Sequence, residues 1–121
     1  MSFKVLICDD SSLARKLAKR SLPEGFAAEV YQASNGAEAI SVIDEHGIEV
    51  MLLDLTMPVL DGVGVLEELR RRMLDVFVVV VSGDIQPLMR DRVMQLGALD
   101  FIPKPINAGQ LQPILRKFGL Y

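Results

Sequence analysis

Residues 50–54 have the sequence VMLLD, in which four apolar residues are followed directly by a carboxylate. An apolar run without alternation is typical of a strand buried on both faces, as in a parallel sheet. Similar runs at residues 5–8 (VLIC) and 76–81 (VFVVVV) predict two further buried strands. Residues 29–33 and 101–102 are weaker candidates. The chain therefore contains five predicted strands.

Segments in which apolar residues recur with helical spacing follow each of these strands. Ser11 or Ser12 can cap the first helix, Gly47 can end the second, and Pro87 fits the first turn of the fourth. The apolar markers of the five helices are Leu13, Leu17 and Ala18; Ala37, Ala39, Ile40 and Ile43; Val63, Leu66, Leu69 and Met73; Leu88, Val93 and Leu96; and Leu111, Ile114, Leu115 and Phe118. Five strand–helix repeats predict an α/β fold with one parallel sheet and helices on both faces.

The composition narrows the classes of function. The chain has 121 residues and a formal net charge of −3, so long-range attraction to nucleic acid or to an anionic membrane is not expected. Its longest aliphatic and aromatic run, residues 76–81, is far shorter than the ~20 residues of a membrane span, and the N-terminus does not resemble a signal peptide. The single cysteine, Cys8, excludes an internal disulfide, and with one histidine a Cys/His zinc site is excluded too. We expect a cytoplasmic protein.

Polar residues follow four of the predicted strands, at or near the point where each strand ends. Asp9 and Asp10 follow the first strand, Asp54 the third and Ser82 the fourth, and Lys104 comes soon after the fifth. Open α/β sheets bind ligands beyond the carboxyl ends of their strands, so we expect these side chains to lie together. Three clustered carboxylates repel one another unless a cation lies among them. Their hard oxygen atoms favour Mg²⁺ or a similar divalent ion, such as Mn²⁺.

This set of groups suits phosphoryl transfer. The ammonium group of Lys104 can pair with a carboxylate or a phosphate, and the Ser82 hydroxyl can bond a phosphoryl oxygen. A carboxylate can itself be the nucleophile and form an aspartyl phosphate. Asp54 follows the central strand and is the best placed to attack. We therefore expect Asp54 to receive a phosphoryl group whose charge is shared by a metal and a lysine.

Four segments of the chain resemble the receiver domains of two-component response regulators, the CheY-like family. They are VLICDD at residues 5–10, LLDLTMP with DG at residues 52–58 and 61–62, VVVSG at residues 79–83, and GALDFIPKP at residues 97–105. Each is moderately specific alone, but four in order at this spacing are very specific. The resemblance implies a flavodoxin-like, doubly wound (βα)5 sheet with strand order 2-1-3-4-5. It also implies one receiver domain over residues 1–121, either a stand-alone module or part of a longer regulator.

The same resemblance implies roles for the acidic residues. Asp54 resembles the phosphoacceptor, which a histidine kinase, a phosphotransfer protein or a small phosphodonor would charge. Asp10 and Asp54 resemble direct ligands of Mg²⁺ (or Mn²⁺), and Asp9 resembles the acid that acts through water. The backbone carbonyl of Thr56 would complete the protein ligands.

The remaining site residues also resemble those of the family, with departures at Gly83, at Phe101, which has no hydroxyl, and at the variable flanking positions Thr56 and Asp84. Ser82 resembles the switch hydroxyl, Phe101 the switch aromatic and Lys104 the lysine of the site, and the bond from Lys104 to Pro105 is expected to be cis. Gly83 stands where the family usually has alanine. The resemblance implies a phosphorylation-dependent switch, in chemotaxis or motility for example. Its output would be a protein target bound by the face formed from the fourth helix, the fifth strand and the fifth helix.

Two other functions fit the sequence less well than the switch. A haloacid-dehalogenase-type phosphatase also uses an aspartyl phosphate, but it needs a second acid two residues after the nucleophile, where this chain has Thr56. A flavodoxin-like cofactor carrier needs a phosphate-binding loop rich in hydroxyls and glycine after the first strand, where this chain has Asp9 and Asp10. We therefore expect a phosphoacceptor that supports its own phosphorylation and dephosphorylation, rather than an enzyme with a separate substrate.

Overall fold

The computed structural model describes residues 2–84 and 86–121. Five strands alternate with five helices in the order β1, α1, β2, α2, β3, α3, β4, α4, β5, α5. The strands are β1 Phe3–Cys8, β2 Ala27–Ala33, β3 Val50–Leu53, β4 Phe77–Ser82 and β5 Asp100–Pro103. The helices are α1 Ser12–Ser21, α2 Gly36–His46, α3 Gly62–Arg71, α4 Pro87–Gln95 and α5 Ala108–Lys117. All strand pairs are parallel and the strand order is β2-β1-β3-β4-β5, which confirms the predicted flavodoxin-like sheet.

The apolar runs are strands because both of their faces are covered. In β3, Met51 and Leu53 point into the core cluster that also holds Ile43 from α2 and Leu66 from α3. Alternate β3 residues point into a second cluster with helices α1 and α5, represented by Ala18, Leu111 and Leu115. All four β3 side chains are buried. The sequence of this strand is therefore continuously apolar and lacks the alternation of apolar and polar residues that a half-exposed strand shows.

The predicted helix boundaries agree with the capping geometry. Ser11 is the N-cap of α1, and its side chain accepts a hydrogen bond from the backbone N–H of Ala14. Gly47 caps α2 in the left-handed conformation, at φ 65°. Pro87 is the first residue of α4, where its missing N–H has no helical partner to lose.

Five of the apolar helix markers are exposed, contrary to their assignment to the packed helix faces. Leu13, Ala37 and Leu88 are each the second residue of their helix, and Met73 and Phe118 come after the last helical residue. Helix ends extend beyond the area that the sheet covers, so a residue with the correct spacing there has nothing to pack against. Met73 is 88% exposed, in the left-handed conformation at φ 56°.

None of the helices in residues 2–84 and 86–121 combines the length and the apolar character that crossing a membrane requires.

The strand order places a ligand-binding crevice between β1 and β3. The chain leaves β1 toward β2 on one side and later returns to β3 on the other, so the order reverses at that point. Asp9 follows β1 and Asp54 follows β3, so both stand at the reversal. Gly62, at the start of α3, packs directly on this turn and donates a backbone hydrogen bond to the Leu55 carbonyl (3.0 Å).

Gly62→Ala should destabilise the fold because a Cβ atom there would lie 2.3 Å from the Asp54 carbonyl oxygen and 2.8 Å from Leu55 Cα. Both neighbours are backbone atoms, which cannot rotate away. We expect the free energy of unfolding to fall by about 2–3 kcal/mol, measured by urea denaturation followed by circular dichroism. Gly83→Ala is the matched control, since no described atom lies within 4 Å of a Cβ at that position. A Gly62→Ala protein as stable as Gly83→Ala would contradict this packing.

Candidate functional site

Three carboxylates converge at the carboxyl edge of the sheet. Asp9, Asp10 and Asp54 each offer one carboxylate oxygen, and these oxygens all lie within 4.8 Å of one another. Asp9 and Asp54 are buried, whereas Asp10 is exposed. The sequence predicted this cluster from the ends of β1 and β3, and the structure brings all three residues together.

Lys104 supplies the positive charge of the cluster. Its Nζ atom lies 2.7 Å from Asp9 Oδ2 and 3.5 Å from Asp54 Oδ1. The carboxylates it contacts are 8% and 5% exposed, while the Lys104 side chain is 30% exposed. One ammonium group thus bridges two buried anions, and it bonds Asp9 more closely than Asp54.

Burial and like charge both act on Asp54. Burial raises the pKa of Asp54, the negative charge of Asp9 raises it further, and Lys104 partly offsets both effects. For Lys104, burial acts to lower the pKa, but the hydrogen bond to Asp9 and the charges of Asp54 and Asp9 outweigh it, so its pKa lies above the ordinary value. A further cation would therefore stabilise the charged form of the Asp54 carboxylate, and the neighbouring Lys104 ammonium group stays charged at neutral pH.

The loop after β1 is held by backbone and side-chain hydrogen bonds. The Asp9 N–H donates to the Ala33 carbonyl (3.0 Å), and Asp9 Oδ1 accepts from the Ser11 N–H (2.9 Å). Arg15, on α1, donates from Nη1 to the Asp9 carbonyl (2.7 Å) and from Nε to Gln32 on β2 (2.9 Å). Sequence reasoning missed this use of Arg15, because a basic residue on a helix carries no signal of the carbonyl it will meet.

Cys8 and Met57 pack beneath the cluster. The Asp54 N–H donates to the Cys8 carbonyl (2.9 Å), which ties the end of β3 to the end of β1. The Cys8 thiol lies 3.4 Å from Met57 Sδ and is 1% exposed. Burial, with the nearby charges of Asp9 and Asp54, raises the pKa of Cys8 to about 12. Cys8 is thus a buried packing residue, and its thiol is protonated at neutral pH.

The other predicted site residues occupy the adjoining strand ends. Ser82 is the last residue of β4, is 1% exposed, and its hydroxyl accepts from the Asp84 N–H (3.1 Å). Phe101 is buried in β5 beside Val80 of β4. The Lys104–Pro105 bond is cis, as predicted, and the Lys104 N–H donates to the Ser82 carbonyl (2.9 Å).

Thr56 lies two residues after Asp54 and is exposed. It offers a hydroxyl rather than a carboxyl group at this position, so a phosphatase mechanism that requires an acid there has no support. The metal role predicted for its backbone carbonyl stays a prediction.

The donor set of the cluster fits a hard divalent ion. The converging atoms are carboxylate oxygens, which Mg²⁺ prefers, and the exposed position of Asp10 leaves the ion access to water. A phosphoryl group at Asp54 would lie beside both this ion and the Lys104 ammonium. The arrangement can therefore neutralise the charge of a phosphoryl group on a carboxylate.

Comparison with known proteins gives one consistent family. A family model described as the response regulator receiver domain matches residues 5–116. The chain is 32% identical over 117 residues to the chemotaxis protein CheY of Bacillus subtilis, covering 97% of this chain and 98% of that protein. It is 34% identical over 115 residues to the transcriptional regulatory protein HptR of Staphylococcus aureus. That match covers 93% of this chain but only 45% of HptR. A CheX–CheY–BeF3–Mg²⁺ complex from Borrelia burgdorferi contains a chain of the same fold, with a TM-score of 0.87, 28% identity, and coverage of 96% of this chain and 89% of that one.

Lys104→Met should lower stability because it leaves the carboxylates of Asp9 and Asp54 buried together without their cation. We expect the free energy of unfolding at pH 7, without divalent ions, to fall by about 1–3 kcal/mol, less than for a fully buried pair because Lys104 is partly exposed. Adding Asp54→Asn to this variant should recover part of the loss, since it removes one of the two unpaired charges. Urea denaturation measures both effects.

Lys16→Met is the matched control, because Lys16 is exposed on α1. Its effect should stay within about 0.5 kcal/mol. If Lys104→Met were no more destabilising than Lys16→Met, the ion pair would not hold the site together.

Proposed function

The chain belongs to the CheY-like response regulator receiver family, and from that premise we propose that it is a phosphorylation-dependent switch in which Asp54 accepts the phosphoryl group. Receiver domains of two-component systems are phosphoacceptor switches that bind Mg²⁺ at an acidic pocket and interact with histidine kinases and downstream effectors. The observation that carries the proposal is the bridge from Lys104 to Asp9 and Asp54, 2.7 and 3.5 Å long, beside the three converging carboxylates.

Asp54 is the proposed nucleophile. A carboxylate oxygen of Asp54 bonds to the phosphorus atom of the donor while the bond from phosphorus to the donor's leaving atom breaks, and the electron pair of that bond stays on the leaving group. Lys104 can pair with the phosphoryl oxygens during this transfer. Lys104 already contacts Asp54, so it needs only a short movement away from Asp9. The same groups would assist hydrolysis, in which water attacks phosphorus and the bond from phosphorus to Asp54 breaks. The domain would thus support its own phosphorylation and dephosphorylation without acting on a separate substrate.

Asp9, Asp10, Asp54 and the Thr56 carbonyl are the proposed ligands of Mg²⁺ or Mn²⁺, with Asp9 acting through water. When bound, the ion would share the negative charge of the phosphoryl oxygens. Lys104 pairs with Asp9 and Asp54, and the described residues show no ion pair to Asp10, so the site has an excess of negative charge before the ion arrives.

Ser82 and Phe101 are the proposed switch residues. The Ser82 hydroxyl is buried and accepts a backbone hydrogen bond from Asp84, and as a hydroxyl it also carries a proton that it can donate to a phosphoryl oxygen. Movement of Ser82 would open space toward Phe101, which is buried in the neighbouring strand. Phe101 shares a core cluster with Val93 of α4. The change would therefore reach the face formed by α4, β5 and α5, where a protein target would meet residues such as Met89, Arg92, Gln95 and Lys117.

The donor and the setting follow from the family. We propose that a histidine kinase or phosphotransfer protein phosphorylates Asp54, that the protein acts in the cytoplasm, and that residues 1–121 form one receiver domain. The relative CheY has nearly the same length as this chain, whereas HptR is about twice as long. The first likeness favours a role in chemotaxis or motility, and the second allows this domain to be part of a longer regulator.

Incubation with acetyl phosphate and Mg²⁺ should add one phosphoryl group to the wild-type protein, detected by intact-protein mass spectrometry. Asp54→Asn should abolish this addition because the amide is not a nucleophile toward phosphorus. Beryllofluoride with Mg²⁺ should likewise change the amide NMR spectrum of the wild type and leave Asp54→Asn unchanged.

Asp75→Asn is the matched control, since it makes the same chemical change at an exposed residue in the loop before β4, at the opposite end of the sheet. It should react like the wild type. A phosphoryl group that still forms on Asp54→Asn, or an unreactive wild type, would refute the proposed function.

A further inference from the structure

A cavity of about 230 Å³ lies between α1 and the sheet, directly beside the cluster. Its apolar walls include Leu17 from α1, Leu52 from β3 and Val81 from β4, and Pro105 and Ile106 also line it. The described residues that line it are apolar except for Asp9, Ser11, Asp54 and Lys104. The phosphoacceptor therefore lies in the wall of a partly open, mostly apolar cavity.

Small side chains on α1 leave this space. Ser11, Ala14 and Ala18 all line the apolar cavity, and their spacing of three and four residues places them on one face of the helix. A larger side chain at Ala14 would fill the cavity from the helix side. The exposed residues Ser11 and Leu13, in the first turn of α1, stand where the cavity meets solvent.

The position of the apolar cavity couples it to phosphoryl transfer. Asp54 and Lys104 belong both to the lining and to the ion-pair bridge. A donor that brings phosphorus to Asp54 must place the rest of its molecule nearby, and the apolar cavity is the adjoining space. An apolar group placed there leaves water and contacts mostly apolar side chains.

We propose that the apolar cavity binds the acyl chain of a small acyl phosphate donor, so that the domain prefers donors with a short alkyl chain over acetyl phosphate. This inference rests on the proposed function of Asp54. In the reaction, a bond forms from an Asp54 carboxylate oxygen to phosphorus while the bond from phosphorus to the acyl oxygen breaks. The electron pair stays on the leaving carboxylate, so no proton is required, and the carboxylate departs beside the charged Lys104.

The size and chemistry of the apolar cavity favour this occupant. Its volume exceeds the roughly 150 Å³ of an engineered apolar cavity that holds benzene, so a chain of four or five carbons fits. A nucleotide donor would bring a polar base and sugar against walls that are apolar except at Asp9, Ser11, Asp54 and Lys104. Each methylene group moved from water into such a site favours binding by about fourfold.

The test compares acetyl, propionyl, butyryl and pentanoyl phosphate at one Mg²⁺ concentration, with the second-order rate constant of phosphorylation read by mass spectrometry. For the wild type, butyryl phosphate should react about four to fifteen times faster than acetyl phosphate. Ala14→Leu should bring this ratio close to one, because the leucine occupies the apolar cavity. Ala37→Leu, at an exposed position on α2, should keep the wild-type ratio.

The outcomes separate this inference from the proposed function. If acetyl phosphate modifies Asp54 but the wild type shows no chain-length preference, the inference is wrong and the proposed function stands. If the preference persists in folded Ala14→Leu, the acyl chain binds elsewhere and the inference is again wrong. If no donor modifies Asp54, both fail. Thermal unfolding establishes that Ala14→Leu is folded, and Ala18→Val tests the same wall with a smaller change should Ala14→Leu not fold.

Discussion

The ammonium group of Lys104, held between the carboxylates of Asp9 and Asp54, is the interaction on which the site depends. Two carboxylates that are almost completely buried would repel each other strongly without it. Burying these charges lowers the stability of the fold relative to apolar residues of the same size, which would pack there without any cost of removing charge from water. The site therefore carries an excess of negative charge, which a divalent ion would neutralise in the proposed function.

The sheet makes this arrangement possible by holding its strands rigidly. Asp9 and Asp54 follow neighbouring strands that are hydrogen-bonded in register, and the Asp54 N–H continues the ladder to the Cys8 carbonyl. Helix α3 closes on the same turn through Gly62, where a backbone carbonyl stands too near for any side chain. The acids cannot separate to relieve their repulsion, so the burial of β1 and β3 on both faces maintains the charge cluster.

Much of this architecture follows from the sequence, because an apolar run that ends in Asp, Ser or a nearby Lys marks both a buried strand and its functional end. The strand order came from resemblance to a family rather than from periodicity, and the structure confirms it. The spacing of Leu13 and Leu88 was misleading, since helical periodicity does not reveal where the sheet stops covering a helix. The bond from Arg15 to the Asp9 carbonyl and the apolar cavity beside Ala14 depend on how α1 sits on the sheet, which no local pattern specifies.

In the proposed function, the Lys104 ammonium group moves from the Asp9 carboxylate to the phosphoryl group on Asp54. A crystal structure of this protein with beryllofluoride and Mg²⁺ tests this claim most directly. We expect beryllofluoride bound to a carboxylate oxygen of Asp54, Lys104 Nζ within hydrogen-bonding distance of a fluorine atom, and the ion held by the acidic cluster. Beryllofluoride attached to Asp9 or Asp10, or Lys104 still bonded to Asp9 and making no contact with the adduct on Asp54, would contradict it.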